Sequence, residues 1–173
     1  MKKLTLIVLL ISCMSYAQNK LTFSIGGDVR NCIVGSDPTN NEPKADLLFK
    51  LTIQNQSIME FGLGAEVFPA IDYTKVFVSV GARLPILERL DIIASLEPSV
   101  IDRTGTWGGS TNGKDVYRSY VTGGGSLVLR YKPFNSIYFE AQTNITYRED
   151  LVARYGEKNP LKASNYLSIV FAL

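Results

Sequence analysis

The sequence predicts an all-β protein: an eight-stranded antiparallel up-and-down transmembrane β-barrel behind an N-terminal signal peptide. Three observations predict it. Eight segments alternate apolar and polar residues with a period of two, the signature of a strand with one apolar face. Most of the connections between them alternate long and short, as a chain running up and down a cylinder would have them. Glycines and charges share one face of those segments, while the other face carries no charge in any of them.

The chain of 173 residues opens MKKLTLIVLLISCMSYAQ. Two lysines, an apolar run from Leu4 to Ile11 and the small-x-small triplet Ser15-Tyr16-Ala17 make a secretory signal, with cleavage expected after Ala17. The run is too short for a transmembrane helix, which takes about 20 residues. Leu10-Ile11-Ser12-Cys13 also resembles a lipobox, in which Cys13 would become the lipidated first residue. Domains are therefore expected at 1–17 (signal peptide) and 18–173 (barrel). Of the 18 basic residues two, Lys2 and Lys3, go with the leader, leaving 16 against 16 acidic ones. A neutral chain has no electrostatic claim on nucleic acid. Without Cys13, Cys32 stands alone and makes no intrachain disulfide.

The strands follow in order. The first sets Leu21, Phe23 and Ile25 against Thr22, Ser24 and Gly26. In the second, Ala45, Leu47, Phe49, Leu51 and Ile53 interleave with Asp46, Lys50, Thr52 and Gln54. The third alternates Met59, Phe61, Leu63, Ala65 and Val67 with Glu60, Gly62, Gly64 and Glu66. Val76, Val78, Val80, Ala82 and Leu84 oppose Lys75, Ser79, Gly81 and Arg83 in the fourth. The fifth has Leu90, Ile92, Ala94 and Leu96 against Asp91, Ser95 and Glu97. A glycine-weakened sixth has Val121, Leu127, Leu129 and Tyr131 against Thr122, Gly124, Ser126 and Arg130. Ile137, Phe139, Ala141, Ile145 and Tyr147 face Glu140, Gln142, Asn144 and Thr146 in the seventh. The eighth is the chain's last stretch, NYLSIVFAL, with Leu167, Ile169, Phe171 and Leu173 against Tyr166, Ser168, Val170 and Ala172. No segment has a helical period, although ILERL and DLVARY could each form about a turn of helix. Long connections follow the first, fifth and seventh strands; short ones follow the second, fourth and sixth, and PAID after the third is short as well.

Alternation leaves open which face looks outward. A soluble lipocalin-like barrel would put the apolar face around a small apolar ligand; a membrane barrel puts it against lipid. Gly26, Gly62, Gly64, Gly81 and Gly124 all lie on the polar face, where glycine adds no packing on a wet exterior but leaves room in a crowded interior. The same face holds Asp46, Glu60, Glu66, Asp91, Glu97 and Glu140 together with Lys50, Lys75, Arg83 and Arg130. Buried charge needs partners, so these ten residues are expected to form an interior ion-pair network. Strands of about 9–11 residues suffice to cross the hydrocarbon layer. Tyr73, Tyr117, Tyr131, Phe134, Tyr147 and Phe171 are candidates for interfacial girdles. In lipid no sheet edge persists, so the last strand must meet the first.

Taken together, these features resemble the small Gram-negative outer-membrane β-barrels of the OmpA/OmpX type, over essentially the whole mature chain. The terminal strand resembles the assembly signal of such barrels, with Tyr166, Phe171 and Leu173 as its residues, though it ends on leucine and carries its aromatic at Phe171. The resemblance implies location in the cell outer membrane, contact with lipid and lipopolysaccharide, and the barrel-assembly machinery as partner during biogenesis. It also implies both termini in the periplasm and Asn31–Pro43, Ile101–Asp115 and Arg148–Ala163 at the cell surface. The chain stops at Leu173, so the peptidoglycan-anchoring role of longer relatives is not carried over. The expected roles are structural, adhesive or surface-interacting.

Some barrels of this size modify lipid with a serine and a histidine. This sequence has no histidine, which removes the Ser-His arrangement and the commonest zinc sets, and no enzyme, cofactor or metal is expected. Glu60 and Glu66, six residues apart on one face, are separated by roughly 20 Å, too far to act as a carboxylate pair unless a neighbouring strand supplies the partner. Asp37, Asp102 and Asp115 lack cation-ligand spacing. Trp107, in the glycine-rich TWGGSTNGKD, is the candidate for surface binding, by stacking on a sugar or anchoring a partner.

Overall fold

The computed structural model describes residues 20–33, 44–55, 58–105 and 116–173. The signal peptide with Cys13, Asp37, Trp107 and Asp115 lie outside them. Eight strands form a closed antiparallel barrel in sequence order: β1 (Lys20–Asp28), β2 (Leu47–Gln54), β3 (Met59–Phe68), β4 (Tyr73–Leu87), β5 (Leu90–Gly105), β6 (Val116–Tyr131), β7 (Ile137–Tyr147) and β8 (Leu161–Ala172). Closure is made by the stretch that ends the chain. Phe23 lies opposite Phe171, Ile25 opposite Ile169 and Asp28 opposite Tyr166, and the Leu173 N–H donates to the Leu21 carbonyl at 2.9 Å. Every strand therefore has two neighbours and no backbone edge is left open.

Polar side chains fill the barrel and apolar ones clothe it. Lys75, Asp91 and Glu97 are wholly buried, whereas Leu63, Leu96 and Val121 are 56, 72 and 85% exposed. This inverts a soluble protein and excludes the lipocalin-like arrangement, in which the valines and leucines would line a cavity. No helix among the described residues is long and apolar enough to cross a membrane; the strands supply the crossing elements.

Several local expectations are corrected. ILERL forms no helical turn: Ile86 and Leu87 continue β4 and Leu90 begins β5, leaving Glu88 and Arg89 as the turn. DLVARY does form a helix, α2 (Glu149–Tyr155), closed by Gly156 at φ 65°, a conformation that suits glycine. An unforeseen short helix, α1 (Val29–Ile33), follows β1, and the Asp28 carboxylate accepts the Asn31 N–H at its start (2.8 Å). Both β5 and β6 reach 16 residues, longer than a bilayer crossing requires. The surface loop expected from Ile101 thus begins after Gly105, and that expected to end at Ala163 ends before Leu161.

Two further corrections concern faces. Leu48, Phe77, Ile93, Val128, Tyr138, Tyr166 and Val170 point inward and are almost fully buried, so the interior is mixed rather than purely polar. Tyr73, a candidate for the aromatic girdle, is 2% exposed; it shares the parity of Lys75 and lies inside. The other five girdle candidates are on the outer surface.

Candidate functional site

The barrel interior holds most of the chemistry. At the end that carries the termini and short turns, Arg130 on β6 is the hub. Its Nη1 and Nη2 reach the two Glu60 oxygens at 2.8 and 3.1 Å, and its Nε donates to Glu140 Oε1 at 2.6 Å. Glu140 comes from the register position beside Arg130 on β7, but Glu60 reaches across the barrel from β3. Lys50 Nζ adds a longer contact to Glu60, 3.9 Å. Beside this group, Asp91 lies 3.6 Å from Arg83 and 2.9 Å from Lys132. All the carboxylates here have cationic partners, the condition for charge to persist in a low-dielectric interior.

A hydrophobic layer separates this group from the next. Leu48, Phe77 and Tyr166 pack together across the barrel. The Phe77 ring has space because its register partner is Gly64; a Cβ on residue 64 would lie within 2.8 Å of three of the ring carbons.

In the loop half, Lys75 lies 3.7 Å from Glu66 and 3.5 Å from Glu97, and donates to Thr146 Oγ1 at 2.9 Å. Nearer the mouth, Asp150 projects from α2 into the barrel and is wholly buried. It accepts from Arg103 Nη1 at 2.9 Å and from Arg148 Nε and Nη2, both at 2.7 Å. Burial disfavours its charge, yet the Arg148 and Arg103 hydrogen bonds and charges outweigh that and hold its carboxyl below the usual value. The Arg148 guanidinium also stacks 4.3 Å over the Tyr73 ring, a cation–π contact that explains an inward tyrosine at a strand end. Asp46 sits opposite, bonded by Asn31 Nδ2 at 2.6 Å. Burial first, then the Glu66 charge, push its pKa up to about 7.

Nine of the ten charges singled out in the sequence lie in ion pairs, and the tenth, Asp46, is hydrogen-bonded instead to the neutral Asn31 amide. Glu60 and Glu66 are in different groups. Sequence reasoning missed Lys132, Arg148 and Asp150, which lie in connections where alternation gives no face, and Asp28 and Arg103, which keep the inward parity of β1 and β5 beyond the stretch in which apolar and polar residues alternate. Among the described residues, no group of three or more His, Cys, Asp or Glu side chains is placed to hold a metal.

No protein-family model matches the chain, and no curated protein does either. Solved structures do. The N-terminal β-barrel domain of Pseudomonas aeruginosa OprF aligns with a TM-score of 0.61 at 11% identity, over 91% of this chain and 99% of that one. The fold is that of the small outer-membrane barrels. Ail of Yersinia pestis, in a phospholipid bilayer nanodisc, matches with a TM-score of 0.56 at 12% identity, over 90% of this chain and 100% of that one. Neisserial surface protein A gives 0.52 at 9%, over 90% and 94%. Within this outer-membrane-barrel fold, the three terminal residues singled out in the sequence take different positions. Tyr166 points inward at 1% exposure, whereas Phe171 and Leu173 lie on the outer surface.

Proposed function

We propose that this chain, as a mature domain from about residue 18, is an integral outer-membrane β-barrel protein whose role is structural, adhesive or surface-interacting rather than catalytic. The observation that carries the reading is the inversion itself: an apolar surface around a closed barrel whose charges are paired inside. Only a bilayer gives that surface a favourable environment, and only a closed barrel satisfies its backbone there. Termini in the periplasm place the long connections at the cell surface. The interior is occupied by side chains across three layers, so a wide diffusion pore does not fit, and the absence of histidine leaves no Ser-His chemistry.

Lipid and lipopolysaccharide would surround the barrel, and the barrel-assembly machinery would read the end of β8, where the outward Phe171 and Leu173 are accessible to it. Surface contacts would fall to the connections, with Trp107 a candidate for stacking on a saccharide. A complex of the similarly folded Ail with the heparin analogue sucrose octasulfate makes sulfated glycan a reasonable first probe. Membrane fractionation with unboiled detergent electrophoresis tests the reading. Recovery with outer membranes and a heat-sensitive folded band are expected; a protein soluble without detergent would overturn it.

A further inference from the structure

The turn end of the barrel carries a cavity of about 260 Å³ whose lining includes Lys20, Glu88, Arg89, Lys132, Phe134 and Tyr138. That space admits a polyatomic group rather than a single ion, since one water occupies about 30 Å³. Three elements meet here. The Lys132 N–H donates to the Arg89 carbonyl at 2.8 Å, tying the β6–β7 turn to the β4–β5 turn. Lys20, at the start of β1, donates to the Asn135 carbonyl at 3.2 Å and lies 4.8 Å over the buried Tyr138 ring.

The charges in this basin differ from those deeper in the barrel. Lys132 is committed to Asp91 at 2.9 Å, but neither Glu88 nor Arg89 has a side-chain hydrogen bond or ion pair among the described residues, and both are exposed. Neighbouring opposite charges that do not pair with each other present a dipole to whatever enters. Two cations, Lys20 and Arg89, suit a phosphate, which they bind by charge-assisted hydrogen bonds; Glu88 suits an ammonium. Phe134, on the rim and 65% exposed, offers an apolar contact at the level where headgroup gives way to acyl chain.

We propose that this basin binds the zwitterionic phosphoethanolamine headgroup of a phospholipid, its phosphate on Lys20 and Arg89 and its ammonium on Glu88. The inference rests on the outer-membrane reading above, which turns this end of the barrel toward the phospholipid leaflet.

The test is lipid retention by the detergent-purified full chain, read by native mass spectrometry after equilibration with equal amounts of phosphatidylethanolamine and phosphatidylglycerol. Wild type should retain phosphatidylethanolamine preferentially. The Lys20→Gln, Arg89→Gln pair should lower its retention by about tenfold or more. Glu88→Gln should reverse the preference toward phosphatidylglycerol, which lacks the ammonium. A heat-sensitive folded band for each variant shows that the barrel is intact. Equal retention by wild type and the double variant would overturn the proposal. So would equal retention of the two lipids with full displacement by inorganic phosphate, which would mark a simple phosphate site. A protein that inserts into bilayers yet shows no headgroup preference refutes this inference alone; failure to insert refutes the membrane reading.

Discussion

Gly64 on β3 lies in register with Phe77 on β4, inside the barrel, and the Phe77 ring occupies the space a Gly64 side chain would take. The pair accounts for a glycine that weakens its own strand and for an aromatic buried among charges.

Gly64→Ala should therefore destabilise the barrel by about 1–3 kcal/mol through overpacking. In a Phe77→Leu background the same substitution should be near neutral or favourable, since alanine loses less backbone entropy than glycine. Urea unfolding in detergent micelles for the four combinations reads the reversal; additive effects would show that ring and glycine are independent.

Arg130 holds both Glu60 and Glu140, all three within 4% of full burial. Arg130→Met leaves two buried carboxylates short of a cation and should cost about 3–5 kcal/mol. Glu60→Gln should cost much less in the Arg130→Met background than in wild type, a coupling of about 1 kcal/mol or more in a double-mutant cycle. No coupling would mean that the cross-barrel bidentate contact contributes nothing to stability.

Leu63 stands on the outer surface of β3, 56% exposed. If oil surrounds it, Leu63→Lys should destabilise the membrane-inserted barrel by about 2–4 kcal/mol. On a water-facing surface the same change would be nearly neutral. Unfolding from lipid vesicles distinguishes the two.

Asp46 lies at the loop mouth with a carboxyl pKa raised to about 7 by burial and by the Glu66 charge. Since the folded value exceeds the unfolded one, its contribution to stability is fully present below about pH 4 and is lost as pH rises through about 7. Asp46→Asn keeps an oxygen for the Asn31 amide but has no charge to form. Measured by unfolding from pH 4 to 8, wild type should lose stability relative to Asp46→Asn as pH rises; a constant difference would rule out the linkage.

Much of this architecture was legible because a two-residue period leaves a mark in sequence whenever a strand has unlike faces. Glu60, Lys75 and Arg130 fall inside on that basis, and the alternation in NYLSIVFAL assigns Ile169 and Phe171 to the outer face, where the closed barrel sets them beside Ile25 and Phe23. Side-chain polarity gives no guide where the inward residue is itself apolar. Phe77 and Ile93 look like any other β residue between valines and leucines, and nothing local says that a glycine or a small side chain across the strand has made room for them. Nor does the period reach the mouth, where Arg148 and Asp150 belong to a connection; Asp28, the last residue of β1, still keeps the inward parity of Thr22 and Ser24.

Strand number, the polarity of each face and the closure of the last strand on the first follow from the order of residues alone, because they depend on near neighbours and on the need to pair every backbone group. The choice of ion partners was decided only by the tertiary structure. Arg130 meets Glu60 70 residues away, and Arg148 covers an inward Tyr73, because closure and register set which side chains share the narrow interior, and no local pattern encodes a distance across it.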